Sequence, residues 1–261
     1  MAINELGTNN LRLEREGPLA WLVIDRPAAR NAFTPAMYYG IKLAVRKLNT
    51  DPELHAMIIT GTGDVFAPGG DLGGRTGDEE QDVSQLGYDI LPFTAVRESR
   101  KPIVSAVNGI CQGGGLLVAL MSDVAVVSER ATFRVPELLR GIPDSTYAAV
   151  LPPTVGLTWA KDLIYTSRKL TAPDALSIGL ISRVCAHDDL RKEALRATRE
   201  VLTAAPEARN HVKRMLNERY GAIDYFTMFG ALDSSPETHE GMSAFMEKRE
   251  PYWMPDNFPE A

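Results

Sequence analysis

The sequence has few cysteines, few histidines and no block of basic residues. Two cysteines in 261 residues, Cys111 and Cys185, are too few for a disulfide scaffold and form no CxxC pair. The net charge of −6, without a run of five Lys or Arg, argues against nucleic acid or an anionic membrane as the main partner. Four histidines lack metal-ligand or triad spacing, so we expect no metal: His55, His187, His211 and His239.

The sequence also lacks recognisable targeting segments. The first 15 residues contain no basic stretch followed by an apolar core, so no secretory leader is predicted. A stretch of 21 uncharged residues between Lys101 and Asp123 has the length of a membrane span. Pro102, Asn108 and four glycines interrupt it and favour a strand, a turn and a helix start instead. We therefore expect no membrane partner and a cytoplasmic location with reduced thiols.

Apolar patterning predicts an α/β fold. Short apolar runs predict buried strands at residues 19–24, 57–60, 103–107 and 123–127. Helices are predicted at 34–48, 79–97 and 116–121, the first beginning at Thr34-Pro35 with one apolar stripe: Met37, Ile41, Ala44, Val45 and Leu48. Beyond Asp188 only helices are predicted, at 190–202, 206–219 and 236–248. Alternating strands and helices with short links favour parallel strands joined by crossover helices.

Glycine is unevenly distributed. Of the 21 glycines, seven lie in residues 61–77 and four in residues 109–115. Phe66 replaces the third glycine of a dinucleotide fingerprint, and no Gly-Lys-Ser/Thr phosphate loop follows, so both nucleotide interpretations fail. Backbone N–H groups of the two windows could instead form an oxyanion hole, although tight turns explain glycine clusters equally well.

Five segments resemble, in order and spacing, those of the crotonase (enoyl-CoA hydratase/isomerase) superfamily. They are Val65–Leu72, Lys101–Gly109 followed by the Gly113–Gly115 triplet, Asp123, Thr171–Val184 and Glu240–Arg249. The resemblance implies a crotonase-like spiral of βαβ units over residues 1–200, with a helical C-terminal extension at 201–261 that builds a homotrimer or a dimer of trimers. It also implies acyl-CoA thioester substrates, with coenzyme A as part of the substrate and no separate cofactor.

The family chemistry maps onto five positions. The resemblance places the thioester oxygen on the backbone N–H groups of Gly70 and Gly114, where an enolate would form. The first hydratase glutamate is replaced by Leu117, whereas the second is retained as Glu137. Asp144 lies where some family isomerases and a dehalogenase carry an acid. Two acids could move a proton between C2 and C4 of an enoyl thioester, so isomerisation is slightly favoured over hydration.

The same residues are also compatible with other roles. Asp144 could be the nucleophile of a hydrolase or dehalogenase, or the loss of the glutamate at position 117 could leave a non-catalytic acyl-CoA-binding protein. Glu137 could also be a surface helix cap, and Pro143-Asp144-Ser145 an ordinary turn. Arg134, where the hydratases carry glutamine, could pair with an acid, contact substrate or form a surface salt bridge.

The resemblance also suggests binding residues. The expected coenzyme A contacts are Ala28, Arg30, Ala67, Gly69 and Lys248. The variable wall of the acyl pocket is expected between residues 72 and 93. Its candidate lining residues are Leu72, Leu86, Tyr88, Leu91 and Phe93, and Leu117 is expected to line the same pocket. Ordinary core packing is the alternative for the apolar members, and a solvated loop position is the alternative for Arg30.

Overall fold

A computed structural model describes residues 3–73, 79–221 and 223–254. These residues form ten β-strands and nine α-helices. The strands are β1 (Leu11–Glu16), β2 (Leu19–Ile24), β3 (Ala56–Gly61), β4 (Val65–Ala67), β5 (Ile103–Val107), β6 (Ile110–Gln112), β7 (Val124–Ser128), β8 (Thr132–Arg134), β9 (Leu170–Thr171) and β10 (Arg183–Cys185). The helices are α1 (Pro35–Thr50), α2 (Phe93–Arg97), α3 (Gly114–Met121), α4 (Ser145–Thr166), α5 (Ala172–Ser177), α6 (Leu190–Thr203), α7 (Pro206–Asn217), α8 (Tyr225–Ser234) and α9 (Pro236–Glu247).

The strands form two sheets, and from β3 to β8 the chain alternates between them. The larger sheet has the order β1-β2-β3-β5-β7-β10, and all its neighbours except the β1–β2 pair are parallel. The smaller sheet has the order β4-β6-β8-β9. Each of β3, β5 and β7 is followed at once by a strand of the smaller sheet, so successive repeats advance as a spiral. The predicted α/β spiral is confirmed.

Asn108 and Gly109 form the corner between the two sheets. The Asn108 side chain accepts a hydrogen bond from the Gly61 N–H (3.1 Å) and donates one to the Gly63 carbonyl (2.8 Å). A β-carbon at Gly109 would overlap the carbonyl oxygen of Asp64. Glycine is therefore required here because the chain passes directly against the neighbouring turn. The corner sets the course of β4 and β6, which lead to the two glycine-rich loops.

Helix α1 forms as its sequence predicts. The Thr34 side chain accepts a hydrogen bond from the Met37 N–H, and Pro35 occupies the first turn. All five residues of the predicted stripe are buried in the main core. Burying side chains of this kind stabilises the fold by roughly 1.5–3 kcal/mol each for the larger ones. The helix is thereby held firmly beside the loop that follows β4.

The C-terminal helices pack onto the core rather than standing apart from it. Helix α8 contacts α4, and α9 contacts a short 3-10 helix at Leu138–Arg140. The Thr238 hydroxyl donates a hydrogen bond to the Gly141 carbonyl at 2.9 Å. Helices α6, α7 and α9 match the predicted C-terminal helices. Among the described residues, no helix is long and apolar enough to cross a membrane.

The helix predicted at 79–97 is wrong. The described part of this region contains a 3-10 segment at Ser84–Ile90 and the short helix α2. Gly87 lies inside the 3-10 segment with φ 51° and ψ −133°, which interrupts any continuous helix. Helices α4 and α8 have no predicted counterpart. In α4, the prolines at positions 152 and 153 and a kink at Gly156 hide the helical pattern.

We expect Gly109→Ala to lower the free energy of unfolding by more than about 3 kcal/mol, because its β-carbon has no space against the Asp64 carbonyl. Gly230→Ala is the matched control, since Gly230 lies in the exposed part of α8 with no atom near its β-carbon position. The control should change the free energy of unfolding by less than about 1 kcal/mol. Urea denaturation measures both, and equal effects would contradict the assigned corner.

Candidate active site

A cavity of about 340 Å³ lies where the two glycine-rich loops meet. Its walls include Gly70 from the loop after β4, Gly114 from the start of α3, and both Glu137 and Asp144. Four of the predicted acyl-pocket residues also line it: Leu72, Leu91, Phe93 and Leu117. The predicted oxyanion glycines and the two predicted carboxylates are thus brought into one mainly apolar cavity.

The loop after β4 is bound to the segment that precedes α1. The Phe33 N–H donates to the Gly69 carbonyl, and the Asp71 N–H donates to the Phe33 carbonyl, both at 2.8 Å. The buried Arg26 and the partly buried Asp71 form an ion pair at 2.7 Å in the same region. These bonds hold Gly70 on both sides, while its own N–H forms no hydrogen bond with another described residue.

The second loop presents the start of α3. Gly113 precedes the helix with φ 51°, and its carbonyl accepts a hydrogen bond from the Tyr147 hydroxyl at 2.7 Å. Gly114 is the first residue of α3, so its N–H has no carbonyl partner within the helix. The helix dipole adds positive potential at this end. Gly114 can therefore donate to an oxygen that gains negative charge.

The two loops touch through their backbones. A β-carbon at Gly69 would lie 3.4 Å from the Gly113 α-carbon and 3.5 Å from the Gly114 nitrogen. No side chain separates the loops at this point, so the segments carrying Gly70 and Gly114 share one wall of the cavity. This arrangement suits two backbone donors that act on one oxygen atom.

Glu137 follows β8 and begins the 3-10 helix at Leu138–Arg140. A β-carbon at Gly113 would lie 2.9 Å from its Oε1 atom. Its Oε2 atom is buried and has no hydrogen-bond partner among the described residues. Burial, and secondly the nearby Asp144, raise the pKa of Glu137 to about 8, against the smaller effects of its own N–H and of Arg140. The carboxyl group is therefore mostly protonated at neutral pH.

Asp144 is the N-cap of α4. Its Oδ1 atom accepts hydrogen bonds from the N–H groups of Thr146 (2.8 Å) and Tyr147 (3.3 Å). Burial raises the pKa of Asp144, and these hydrogen bonds partly oppose the rise. Asp144 therefore lies in the cavity as the cap of a helix, and its catalytic role stays a prediction.

Other predicted residues lie away from the cavity. Tyr88 is exposed and stacks on Tyr225 with 5.9 Å between ring centroids, and Leu86 does not line the cavity either. The non-helical backbone at Gly87 explains why these two side chains do not line the cavity as expected. Residues 74–78 of that wall lie outside the described part of the chain. Arg134 donates a hydrogen bond to the Ser167 carbonyl at 2.5 Å. This bond joins β8 to the end of α4.

The predicted coenzyme A residues are dispersed. Ala28 and Arg30 lie exposed on the turn before α1, and Lys248 lies exposed at the end of α9. Gly69 lines the cavity. Ala67 is fully buried, because its carbonyl and side chain pack against Gly115 of α3. Its side chain is therefore closed to a ligand, and the expected place of its backbone beside the adenine stays a prediction.

Sequence reasoning missed two tyrosines and part of the cavity wall. Tyr38 lines the cavity from α1, and Tyr147 supports the Gly113 loop from α4. The C-terminal helices add apolar linings: Met228, Phe229, Leu232 and Met242. Tyr38 lies three residues before Ile41 of the apolar stripe, and this spacing is a signal that could have placed it on the inner face of α1.

Comparisons with known proteins show which family the chain resembles. The sequence model of the enoyl-CoA hydratase/isomerase family matches residues 14–256. A carnitinyl-CoA dehydratase from Salmonella arizonae is 31% identical over 258 residues, which cover 94% of this chain and 98% of that protein. A crotonyl-CoA hydratase from Syntrophomonas wolfei is 34% identical over 252 residues, covering 92% of this chain and 96% of that protein.

Solved structures give the same result. An enoyl-CoA hydratase/isomerase from Pseudoalteromonas atlantica has a TM-score of 0.79 at 31% identity, covering 94% of this chain and 100% of that chain. A carnitinyl-CoA hydratase from Mycobacterium avium has a TM-score of 0.75 at 30% identity, covering 94% and 98%. The chain therefore belongs to the enoyl-CoA hydratase/isomerase family within the crotonase superfamily, and it is an enzyme of that family.

We expect the change in melting temperature caused by Glu137→Gln to be more positive at pH 9 than at pH 5. A carboxyl whose pKa rises on folding stabilises the fold fully below its unfolded pKa, and this stabilisation is lost as pH rises through about 8. Glutamine has no such titration. Any fixed cost of burying the amide is the same at both pH values. The exposed Glu53→Gln is the control for losing one carboxylate, and a pH-independent difference for Glu137→Gln would contradict the assigned burial.

Proposed function

We propose that this enzyme moves a double bond between the 3-enoyl and 2-enoyl positions of an acyl-CoA thioester. One observation carries the proposal. Glu137 places a carboxyl oxygen that has no hydrogen-bond partner among the described residues in the cavity that holds the two backbone donors, and the pKa of this group is raised to about 8. Leu117 occupies the other acid–base position and cannot transfer a proton.

The two glycines would bind the thioester oxygen. Removing a proton from C2 shifts charge onto this oxygen, and the N–H groups of Gly70 and Gly114 are placed to stabilise it. Phe33, Leu117 and Met228 keep much of the surrounding wall apolar. Hydrogen bonds to a developing anion are stronger in such surroundings than in water.

The proton transfer needs no external reactant. The ionised form of Glu137 takes the C2 proton, and the electrons of the C2–H bond delocalise over C2 to C4 and the thioester oxygen. A proton then forms the new C4–H bond, delivered by Glu137 or by Asp144, and the double bond lies between C2 and C3. Asp144 is in the cavity and electrostatically coupled to Glu137, so it can serve as the second carboxyl group.

Hydration and dehydration are the second candidate function. The named relatives include a crotonyl-CoA hydratase and a carnitinyl-CoA dehydratase. Both reactions also form or consume an enolate at the thioester, so the same two donors would serve them. Leu117 argues against them, because it leaves one fewer group to activate water. A nucleophilic Asp144 is less favoured, since its Oδ1 is engaged as the cap of α4.

We further propose how coenzyme A binds, where the enzyme is located and how it assembles. Coenzyme A would enter as part of the substrate, with Arg30 and Lys248 as candidate phosphate contacts and with Ala28 and the backbones of Ala67 and Gly69 near the adenine. We propose no separate cofactor and a cytoplasmic location. Assembly through residues 201–261 into a trimer or a dimer of trimers is the arrangement that the family resemblance implies.

Glu137→Gln should lower kcat for a 3-enoyl-CoA by about 10²- to 10⁴-fold, because the proton carrier is removed. Asp144→Asn should lower kcat less, since asparagine also caps helices well and keeps the start of α4 intact. Conjugation of the product with the thioester raises ultraviolet absorption, whereas hydration of a 2-enoyl-CoA removes it. Rapid hydration of a 2-enoyl-CoA by Glu137→Gln would overturn the role given to Glu137.

The wild-type kcat/KM for isomerisation should rise with pH and level off above about 8. The base form of Glu137 is required, and burial keeps this form scarce at lower pH. The rise should be close to tenfold per pH unit well below pH 8. Initial rates at limiting 3-enoyl-CoA measure this profile, and a profile that falls between pH 6 and 8 would mean that the protonated form is the active one.

A further inference from the structure

Tyr38 brings a hydroxyl group to the two oxyanion glycines from outside both glycine loops. A β-carbon at Gly114 would overlap the Tyr38 hydroxyl oxygen. This oxygen therefore occupies the space that a side chain at position 114 would need. A β-carbon at Gly70 would lie 3.6 Å from the same oxygen. The hydroxyl therefore lies beside both glycines, and Tyr38 lines the cavity.

The ring of Tyr38 is held in place by aromatic packing. It contacts Phe33 edge-on, with 4.9 Å between centroids and 65° between planes. It also contacts Phe93, with 6.1 Å between centroids and 79° between planes. Phe33 is the residue whose backbone bonds hold the Gly70 loop on both sides. The position of the hydroxyl is therefore coupled to the loop that carries Gly70.

The hydroxyl is available to donate. It forms no hydrogen bond with another residue in the described part of the chain. Burial, and secondly the nearby Glu137 and Asp144, raise the pKa of Tyr38, so the group keeps its proton throughout the working pH range. A neutral phenol donates readily to an oxygen that gains negative charge.

We propose that the Tyr38 hydroxyl is a third hydrogen-bond donor to the thioester oxygen and a catalytic residue beside the N–H groups of Gly70 and Gly114. The inference rests on the proposed function, because it needs an acyl-CoA thioester in this cavity. The donor comes from α1, a different element from those that carry the glycines. It strengthens the enolate-binding site of a chain that has leucine at position 117.

The test compares Tyr38→Phe with Tyr39→Phe, which makes the same chemical change one residue further along α1. Tyr39 lines a separate surface groove with Lys42 and Asp89, so it reports any general effect of losing a phenol from this helix. Phenylalanine at position 38 keeps the ring that packs on Phe33 and Phe93. Melting temperatures of both variants establish that they are folded.

Two readouts are expected to change in Tyr38→Phe. Its kcat for a 3-enoyl-CoA should fall about 10- to 100-fold with little change in KM, somewhat less than the usual loss for a backbone oxyanion donor. The fraction of bound 3-oxoacyl-CoA present as enolate, measured by its ultraviolet absorption, should fall about 10-fold. Tyr39→Phe should change both by less than about 2-fold.

An unchanged enolate fraction in Tyr38→Phe would overturn the proposal even if kcat falls, because the hydroxyl would then act elsewhere than on the thioester oxygen. If Tyr38→Phe does not fold, a ring-fluorinated tyrosine at position 38 keeps the shape and is a stronger donor. The enolate fraction should then rise, and no rise would be equally contradictory.

The wild-type protein separates this proposal from the proposed function. Binding of 3-oxoacyl-CoA as enolate without turnover of any enoyl-CoA would reject the proposed isomerisation, and the Tyr38 variants would still decide the donor role. Failure to bind the 3-oxoacyl-CoA at all would reject both proposals.

Discussion

The site depends on the direct contact between the backbones of Gly69 and Gly113. Because no side chain lies between the two loops, the neighbouring residues Gly70 and Gly114 reach the same cavity from different repeats of the spiral. The Asn108-Gly109 corner directs β4 and β6 toward this contact. A substitution that separated the loops would therefore affect both donors together rather than one at a time.

The same close packing creates the electrostatics of the site. Glu137, Asp144 and Tyr38 lie in an apolar cavity, and burial is the largest cause of the raised pKa of each. Ionised Glu137 is destabilising in this environment, yet it is the form needed to remove a proton from carbon. Stability and reactivity are thus opposed at this residue, as is common where catalytic groups are buried.

Local signals were reliable where one short segment determines its own structure. The Thr34-Pro35 start and the stripe from Met37 to Leu48 predicted α1 correctly, and the apolar runs predicted four strands of the larger sheet. They failed where a glycine or proline has a conformation that only packing selects. Gly87 interrupted a predicted helix, and Gly156, with φ 78° and ψ 157°, kinks α4, whereas the prolines at 152 and 153 lie within the first part of α4.

The sequence by itself determined the family, the α/β class and the positions of Gly70, Gly114, Glu137 and Asp144 in an ordered series of motifs. Tertiary structure decided which side chains join them. Tyr38 enters the cavity because α1 packs beside the Gly70 loop, while Tyr88 turns outward and Arg134 binds the end of α4. These outcomes depend on contacts between segments that are far apart in the chain. Short-range patterns of charge and hydrophobicity do not specify which distant segments come into contact.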